Sequence, residues 1–89
     1  MIKIIDLYAP WCQPCKVIAS VLDELEKELN IEVQRVNIDE DIDVAEYYQV
    51  RSIPTLIFFK DNIQVLKTTG SKTKEQLKVI INKINNGND

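Results

Sequence analysis

The segment 2–8, Ile-Lys-Ile-Ile-Asp-Leu-Tyr, is the feature that most constrains the fold, because it is apolar at both odd and even positions. Successive side chains of a strand point to opposite faces of a sheet, so this pattern predicts a strand that is covered on both faces. Residues 55–59 repeat the pattern with Thr-Leu-Ile-Phe-Phe. A chain with two such strands needs helices on each side of its sheet, which predicts three layers.

Hydrophobic spacing predicts the remaining elements. Helices are expected over 14–29, 39–48 and 73–84, and further strands over 31–38 and 63–69. The order is then β-α-β-α-β-β-α, with the first two strands parallel through a right-handed crossover and the last two forming a hairpin. We therefore expect an α/β fold with a four-stranded mixed sheet flanked by three helices. Residues 1–85 would form a single domain, followed by a polar C-terminal tail at 86–89.

Composition excludes several function classes. The net charge is −3, with 11 basic and 14 acidic side chains, so no basic surface is expected to hold a nucleic acid. No apolar stretch approaches the roughly 20 residues that span a bilayer, which argues against a membrane partner. The N-terminal segment has no positively charged, cleavable leader pattern, which favours a cytoplasmic location. We expect a monomer.

Both cysteines lie in one Cys-x-x-Cys, Cys12 and Cys15, between the first strand and the first helix. Pro14 suits the first turn of that helix, where its missing amide hydrogen would have no partner. Cys12 would then lie at the helix N-terminus, where backbone amides and the helix dipole favour a thiolate. One turn separates Cα atoms by about 5 Å, within disulfide reach. The spacing predicts an exposed, acidic thiol at Cys12 and a shielded thiol at Cys15.

Three other interpretations compete with redox chemistry. The cysteines could be inert core residues, although a strand–helix junction is not a typical core position. They could bind zinc, but the chain has no histidine, so a metal would need a second chain or carboxylates. They could form a structural disulfide, although so short a loop would add little stability. We expect redox chemistry, with no bound metal.

Four segments in this order resemble the thioredoxin family. Residues 8–16 resemble its active-site segment, residues 36–39 the end of its next parallel strand, residues 53–55 its cis-proline loop, and Gly70 the glycine before its last helix. The resemblance implies a thioredoxin-like fold and a protein-disulfide reductase. The N-terminal strand and helix of longer family members have no counterpart here, as in glutaredoxin and short thioredoxins.

The resemblance also implies a site for substrates. Ile53 and Pro54 would be joined by a cis peptide bond beside the cysteines, and their backbone would pair with an extended client segment. Trp11 would flank the site as a contact surface, and Gly70 would lie with the substrate-binding residues. Pro54 could instead be an ordinary proline at the first position of a strand, and Trp11 could be a core tryptophan.

The resemblance implies roles for four further residues, one in proton transfer and three in tuning the chemistry. Asp6 occupies the position of a buried aspartate that relays protons to and from the second cysteine, the alternative being a structural acid. Arg35 stands where the family usually has a lysine, and because arginine stays charged it would hold Asp6 ionised more firmly than a lysine could. Gln13, which replaces a glycine, and Pro14 would adjust the redox behaviour of Cys12.

The predicted function is thiol–disulfide exchange that reduces client proteins, with no cofactor besides the cysteine pair. A thioredoxin reductase or glutathione would regenerate the dithiol. A glutathione-coupled, glutaredoxin-like enzyme is the near alternative, and a binding or metal-delivery module without redox turnover is the distant one.

Overall fold

A four-stranded mixed sheet forms the centre of the computed structural model, which describes residues 1–87. The strands are β1 (Ile2–Tyr8), β2 (Ile31–Asn37), β3 (Thr55–Lys60) and β4 (Ile63–Thr69), and the helices are α1 (Gln13–Glu28), α2 (Ile42–Tyr47) and α3 (Lys74–Asn85). The predicted fold class and element order are confirmed. Of the predicted tail, Asn86 and Gly87 follow α3, whereas residues 88 and 89 lie outside the described residues.

The strand order in the sheet is β2-β1-β3-β4. β1 pairs with β2 in parallel and with β3 antiparallel, and β3 pairs antiparallel with β4. Both inner strands are apolar on both faces, which is why the sequence pattern of 2–8 and 55–59 differs from that of the two edge strands. The register places Asp6 of β1 between Arg35 of β2 and Leu56 of β3.

The two faces of the sheet carry separate cores. On one face, Ile2 and Ile4 pack with the apolar stripes of α1 and α3, the buried set being Ile2, Ile4, Ile18, Leu22, Leu25, Ile31, Leu56, Phe58, Leu77 and Ile81. On the other, Ile5, Leu7, Val36 and Ile57 pack against α2 and the residues that follow it. Helices therefore cover both faces, as the doubly apolar strands require.

The start of α3 shows why this segment is helical. Thr73 accepts a hydrogen bond from the Gln76 amide at 3.1 Å, and the Gln76 side chain accepts one from the Thr73 amide at 2.9 Å. These bonds form the capping box that the Thr-x-x-Gln sequence at 73–76 predicts for the start of α3. Lys74, in the first turn of α3, lies 2.9 Å from Glu24 and 2.6 Å from Glu28 of α1. These ion pairs link the two helices on one face of the sheet.

Boundaries differ from the predictions by a few residues. α2 covers only six of the ten residues predicted over 39–48, because Asp39 and the residues after it form a turn before the helix begins. The periodicity of 14–29 also places Val17 on the apolar stripe of the helix, but Val17 is exposed, so this expectation is wrong. Its position on the helix points away from the sheet even though its side chain is apolar.

Candidate active site

One end of the sheet gathers segments that are distant in sequence. β1 and β2 run parallel, so their carboxyl ends, near Tyr8 and Asn37, lie side by side. β3 is antiparallel to β1, so its start at Thr55 lies at the same end, and Thr69 of β4 pairs with Thr55. The four segments that carry the family resemblance therefore meet at this one end of the sheet.

Cys12 is the N-cap residue of α1, with an extended backbone at φ −89° and ψ 108°. Cys12 and Cys15 form a disulfide with a Cα–Cα separation of 5.2 Å, in agreement with the separation predicted from one helical turn. The Cys12 sulfur accepts a hydrogen bond from the Cys15 amide at 3.2 Å. An amide that donates to this sulfur at the positive end of a helix stabilises negative charge on it, which is the condition for a reactive thiolate.

The predicted exposure of Cys12 is wrong in degree. Only 6% of Cys12 is exposed, against 1% of Cys15. Both cysteines pack with Ala9, and Ile38 and Ile53 close over them from two other loops. Cys12 remains the more accessible of the two, but contacts made by the surrounding loops hide most of its surface.

The loop before β3 is held tightly against this end of the sheet. The Ile53–Pro54 peptide bond is cis, as predicted, and Pro54 is buried. The Thr55 hydroxyl donates to the Ser52 carbonyl at 2.6 Å, and the Gly70 amide donates to the Pro54 carbonyl at 2.9 Å. Gly70 has φ +87°, a conformation that glycine adopts readily. The predicted substrate-contact residues Ile53, Pro54 and Gly70 thus form one connected loop pair.

Trp11 projects from the site, with 69% of its surface exposed, so the alternative of a core tryptophan is wrong. Its indole Nε1 donates to the Asp39 carboxylate at 3.0 Å. Asp39 is held in turn by its amide, which donates to the Asn37 side chain at 2.9 Å. Asp39 is a site residue that the sequence analysis missed. The Asn-x-Asp spacing of the turn was its only local signal.

Asp6 is fully buried on the face of β1 that also carries Ile2 and Ile4. The Arg35 Nε donates to its Oδ2 at 3.3 Å, while Oδ1 has no hydrogen-bond partner among residues 1–87. Burial raises the pKa of Asp6 above its ordinary value, and the nearby Asp23 acts in the same direction. Arg35 lowers the pKa of this carboxyl but does not outweigh burial, because its own side chain is 40% exposed. The effect of Arg35 on the pKa of Asp6 therefore has the predicted direction, although burial has the larger effect.

Two of the predicted tuning residues lie on the surface. Gln13 begins α1 and is exposed, and Pro14 follows it in the first turn.

Within residues 1–87, no group of three or more His, Cys, Asp or Glu side chains is placed to hold a metal ion. The same part of the chain contains no helix long and apolar enough to cross a membrane.

This arrangement can exchange disulfides. It combines a sulfur that receives an amide hydrogen bond at a helix start with a second sulfur bonded to it, and an apolar rim made by Ile38 and Ile53. A buried carboxyl with a raised pKa lies in the strand that leads to the pair. Thiol–disulfide exchange needs a stabilised thiolate and a neighbouring thiol, and reduction of the Cys12–Cys15 disulfide supplies both.

Comparison with known proteins identifies the same family. A family model described as Thioredoxin matches residues 1–83. A thioredoxin of Chlamydia pneumoniae is 44% identical over 81 residues, which cover 90% of this chain and 79% of that protein. A thioredoxin of Bacillus subtilis is 44% identical over 80 residues, which cover 88% of this chain and 77% of that protein.

The fold is also similar to solved structures. A mutant thioredoxin from Halobacterium salinarum superimposes with a TM-score of 0.88 at 33% identity, over 92% of this chain and 73% of the other. Sequence and backbone comparisons therefore agree over most of the chain.

Proposed function

The chain belongs to the thioredoxin family, and on this premise we propose that Cys12 is its attacking cysteine and Cys15 its resolving cysteine. The protein is a thiol–disulfide oxidoreductase of the protein-disulfide reductase type, as its named relatives and its Cys12–Cys15 pair show.

In the first step, the Cys12 thiolate attacks one sulfur of a client disulfide. The client disulfide breaks, its other sulfur leaves as a thiolate, and a mixed disulfide joins Cys12 to the client. The amide of Cys15 supports the Cys12 thiolate before the attack, as its 3.2 Å hydrogen bond to the sulfur indicates.

In the second step, Cys15 loses its proton and attacks the Cys12 sulfur of the mixed disulfide. The Cys12–Cys15 bond forms as the bond between the Cys12 sulfur and the client sulfur breaks. The client sulfur leaves as a thiolate and takes up a proton, so the client departs as a dithiol and two electrons have passed to it from the cysteine pair. We propose that Asp6 receives the Cys15 proton. Its burial and raised pKa support this role, because a base works best with a pKa near the working pH.

Client binding would use the exposed surface next to the cysteines. Trp11 offers a large, mostly exposed ring that Asp39 holds in place. The backbone of Ile53 and Pro54, with Gly70 bonded to it, would receive an extended client segment by strand-like pairing. Gln13, exposed at the start of α1, would contact the client or the Cys12 sulfur. Pro14 would stabilise the first turn of α1.

We propose further that residues 1–85 act as a single domain, as a monomer, with the cysteine pair as the only redox group. Disulfide-containing proteins would be the clients, and a thioredoxin reductase would return the dithiol state. The cytoplasm would be the compartment, because a lone Cys-x-x-Cys without other cysteines suits a reducing environment. In the cell, the protein would then supply electrons for the reduction of disulfides in cytoplasmic proteins.

The observation that carries these roles is the position of Cys12 as the N-cap of α1 with Cys15 one turn away. The Cys15→Ser variant tests it. We expect this variant to accumulate mixed disulfides through Cys12 with a disulfide-containing client such as insulin, whereas Cys12→Ser should form far fewer. Equal trapping by the two variants, or none by Cys15→Ser, would contradict the assignment.

A second experiment identifies the reducing partner. Insulin reduction is measured with the wild-type protein, supplied with either thioredoxin reductase and NADPH or glutathione, glutathione reductase and NADPH. We expect the first system to support turnover. Turnover only with glutathione would instead indicate the glutaredoxin-like alternative. If neither system supports turnover and both thiols alkylate equally slowly near neutral pH, the protein would be a binding module.

A further inference from the structure

Arg35 lies between a carboxylate and an aromatic ring. Asp6 and Tyr8 are two residues apart on β1, so their side chains leave the same face of the strand. Arg35 is the register partner of Asp6 on β2. Its Nε is 3.3 Å from Asp6 Oδ2, and its guanidinium carbon is 4.0 Å from the centre of the Tyr8 ring. That distance is well within the range of a cation–π contact.

The position of Arg35 is not determined by Asp6 alone. Its side chain is 40% exposed on an edge strand, and its single hydrogen bond to Asp6 is long. A long side chain held by one such bond loses much conformational freedom for little gain, so water competes with the ion pair. The Tyr8 ring supplies a second contact, on the face of the guanidinium, while the Nε–H remains free to bond the carboxylate.

Tyr8 also connects this pair to the redox site. It is one of the residues packed on the cluster of Ala9, Cys12 and Cys15. The ring therefore contacts the surroundings of the disulfide and the cation that bonds Asp6.

We propose that Tyr8 is a positioning residue that holds the Arg35 guanidinium against Asp6 and so sets the pH at which Asp6 accepts the proton of Cys15. This inference rests on the relay role given to Asp6 under the proposed function. With the ring present, the guanidinium stays near Oδ2 and favours the ionised carboxylate. Without it, Arg35 moves into solvent, and burial opposes ionisation with less compensation.

The other charges around Asp6 do not replace Arg35. Asp23 on α1 is a like charge and disfavours the ionised form. The register partner on β3 is Leu56, which is apolar. Among the described residues, Arg35 is the only cation that forms an ion pair with Asp6. The response of Asp6 to pH therefore depends on whether this one side chain stays in place.

The test compares Tyr8→Leu with Tyr8→Phe, which keeps the ring and its packing on the cysteine cluster. The titration of Asp6 is followed by the carboxyl carbon signal in NMR, assigned with Asp6→Asn, in the full-length protein in both redox states. We expect Tyr8→Leu to raise the Asp6 midpoint by roughly half a pH unit, Arg35→Met to raise it further, and Tyr8→Phe to leave it unchanged. Tyr47→Leu, at an exposed tyrosine on α2, is the control.

An unchanged midpoint in Tyr8→Leu would overturn the proposal, and so would an equal shift in Tyr8→Phe, because the ring face would then not be what holds Arg35. Thermal unfolding of each variant shows whether the fold is intact. The pH profile of insulin reduction gives a separate readout. If Tyr8→Leu moves the midpoint and the rising limb of the profile together, both ideas are supported. If only the midpoint moves, Tyr8 positions Arg35 as proposed and the relay role of Asp6 is wrong.

Discussion

Replacing Asp6 with asparagine should stabilise the protein near neutral pH. The substitution keeps the size of the side chain, so it creates neither a cavity nor a steric clash. It removes a negative charge that is fully buried and has one oxygen without a hydrogen-bond partner among residues 1–87. Leaving a buried polar group unsatisfied costs about 1–3 kcal/mol, and a charged group costs more. The ion pair with a 40% exposed Arg35 returns about 0–1 kcal/mol of this.

The net expectation is that Asp6→Asn gains about 1–2 kcal/mol in the free energy of unfolding at pH 7.5. For a domain of this size, each kcal/mol of added stability raises the melting temperature by about 4–8 °C. The size of this gain depends on pH. Burial raises the folded-state pKa of Asp6 above 3.8, so the folded state binds more protons than the unfolded state between 3.8 and that raised value. Wild-type stability therefore falls as pH rises through this window, and below 3.8 the penalty is absent.

Urea unfolding of the oxidised protein, followed by far-ultraviolet circular dichroism at pH 7.5 and near pH 3.5, measures both effects. The advantage of Asp6→Asn should be present at the higher pH and largely lost at the lower. Glu32→Gln, an exposed carboxylate on β2, is the control and should change stability by less than about 0.5 kcal/mol. If Asp6→Asn is less stable than wild type at pH 7.5, or if its advantage is the same at both pH values, burial does not dominate the energetics of Asp6.

Three other predictions concern the loops and the last helix. Trp11→Phe removes the 3.0 Å bond to Asp39 and should raise KM for insulin several-fold while sparing the reduction of a small disulfide; a fall in both rates would mean that the indole supports the cysteines instead. Gly70→Ala should lower the free energy of unfolding by about 1 kcal/mol because of the φ of +87° alone, since nothing lies within 4 Å of the added carbon. Gly70→Asn should lower it by less, and equal losses for the two variants in urea unfolding would contradict this reasoning. Thr73→Ala should cost about 1 kcal/mol by breaking the capping box of α3, whereas Thr73→Ser should retain most of it in the same assay.

Local patterns were enough to predict the elements that bury their side chains. The doubly apolar runs at 2–8 and 55–59 are confirmed as the two inner strands, and the capping signal at Thr73 is confirmed as the start of α3. Boundaries were less accurate at 39–48, where acidic residues favour both a helix start and a turn. There the first residues form the turn that contains Asp39, and the helix begins after it.

The contacts within the site were less predictable, because they join residues on different strands. The bond from Trp11 to Asp39 spans 28 positions, and the contact between Tyr8 and Arg35 depends on the register of two parallel strands. Periodicity determines which face of an element is apolar, but it does not specify which side chain lies opposite which. For the same reason, the net effect of burial and Arg35 on Asp6 could be judged only from the packed structure.

The sequence by itself determined the chemistry of the cysteine pair. A helix that starts at a Cys-x-x-Cys brings the two sulfurs together and directs an amide at the first, because both features follow from one turn of local backbone. Tertiary structure decided how much of Cys12 is exposed, which loops cover it and which charges surround Asp6. Those properties depend on segments that the chain brings together only when the sheet assembles, since solvent exclusion is a property of the whole packed arrangement.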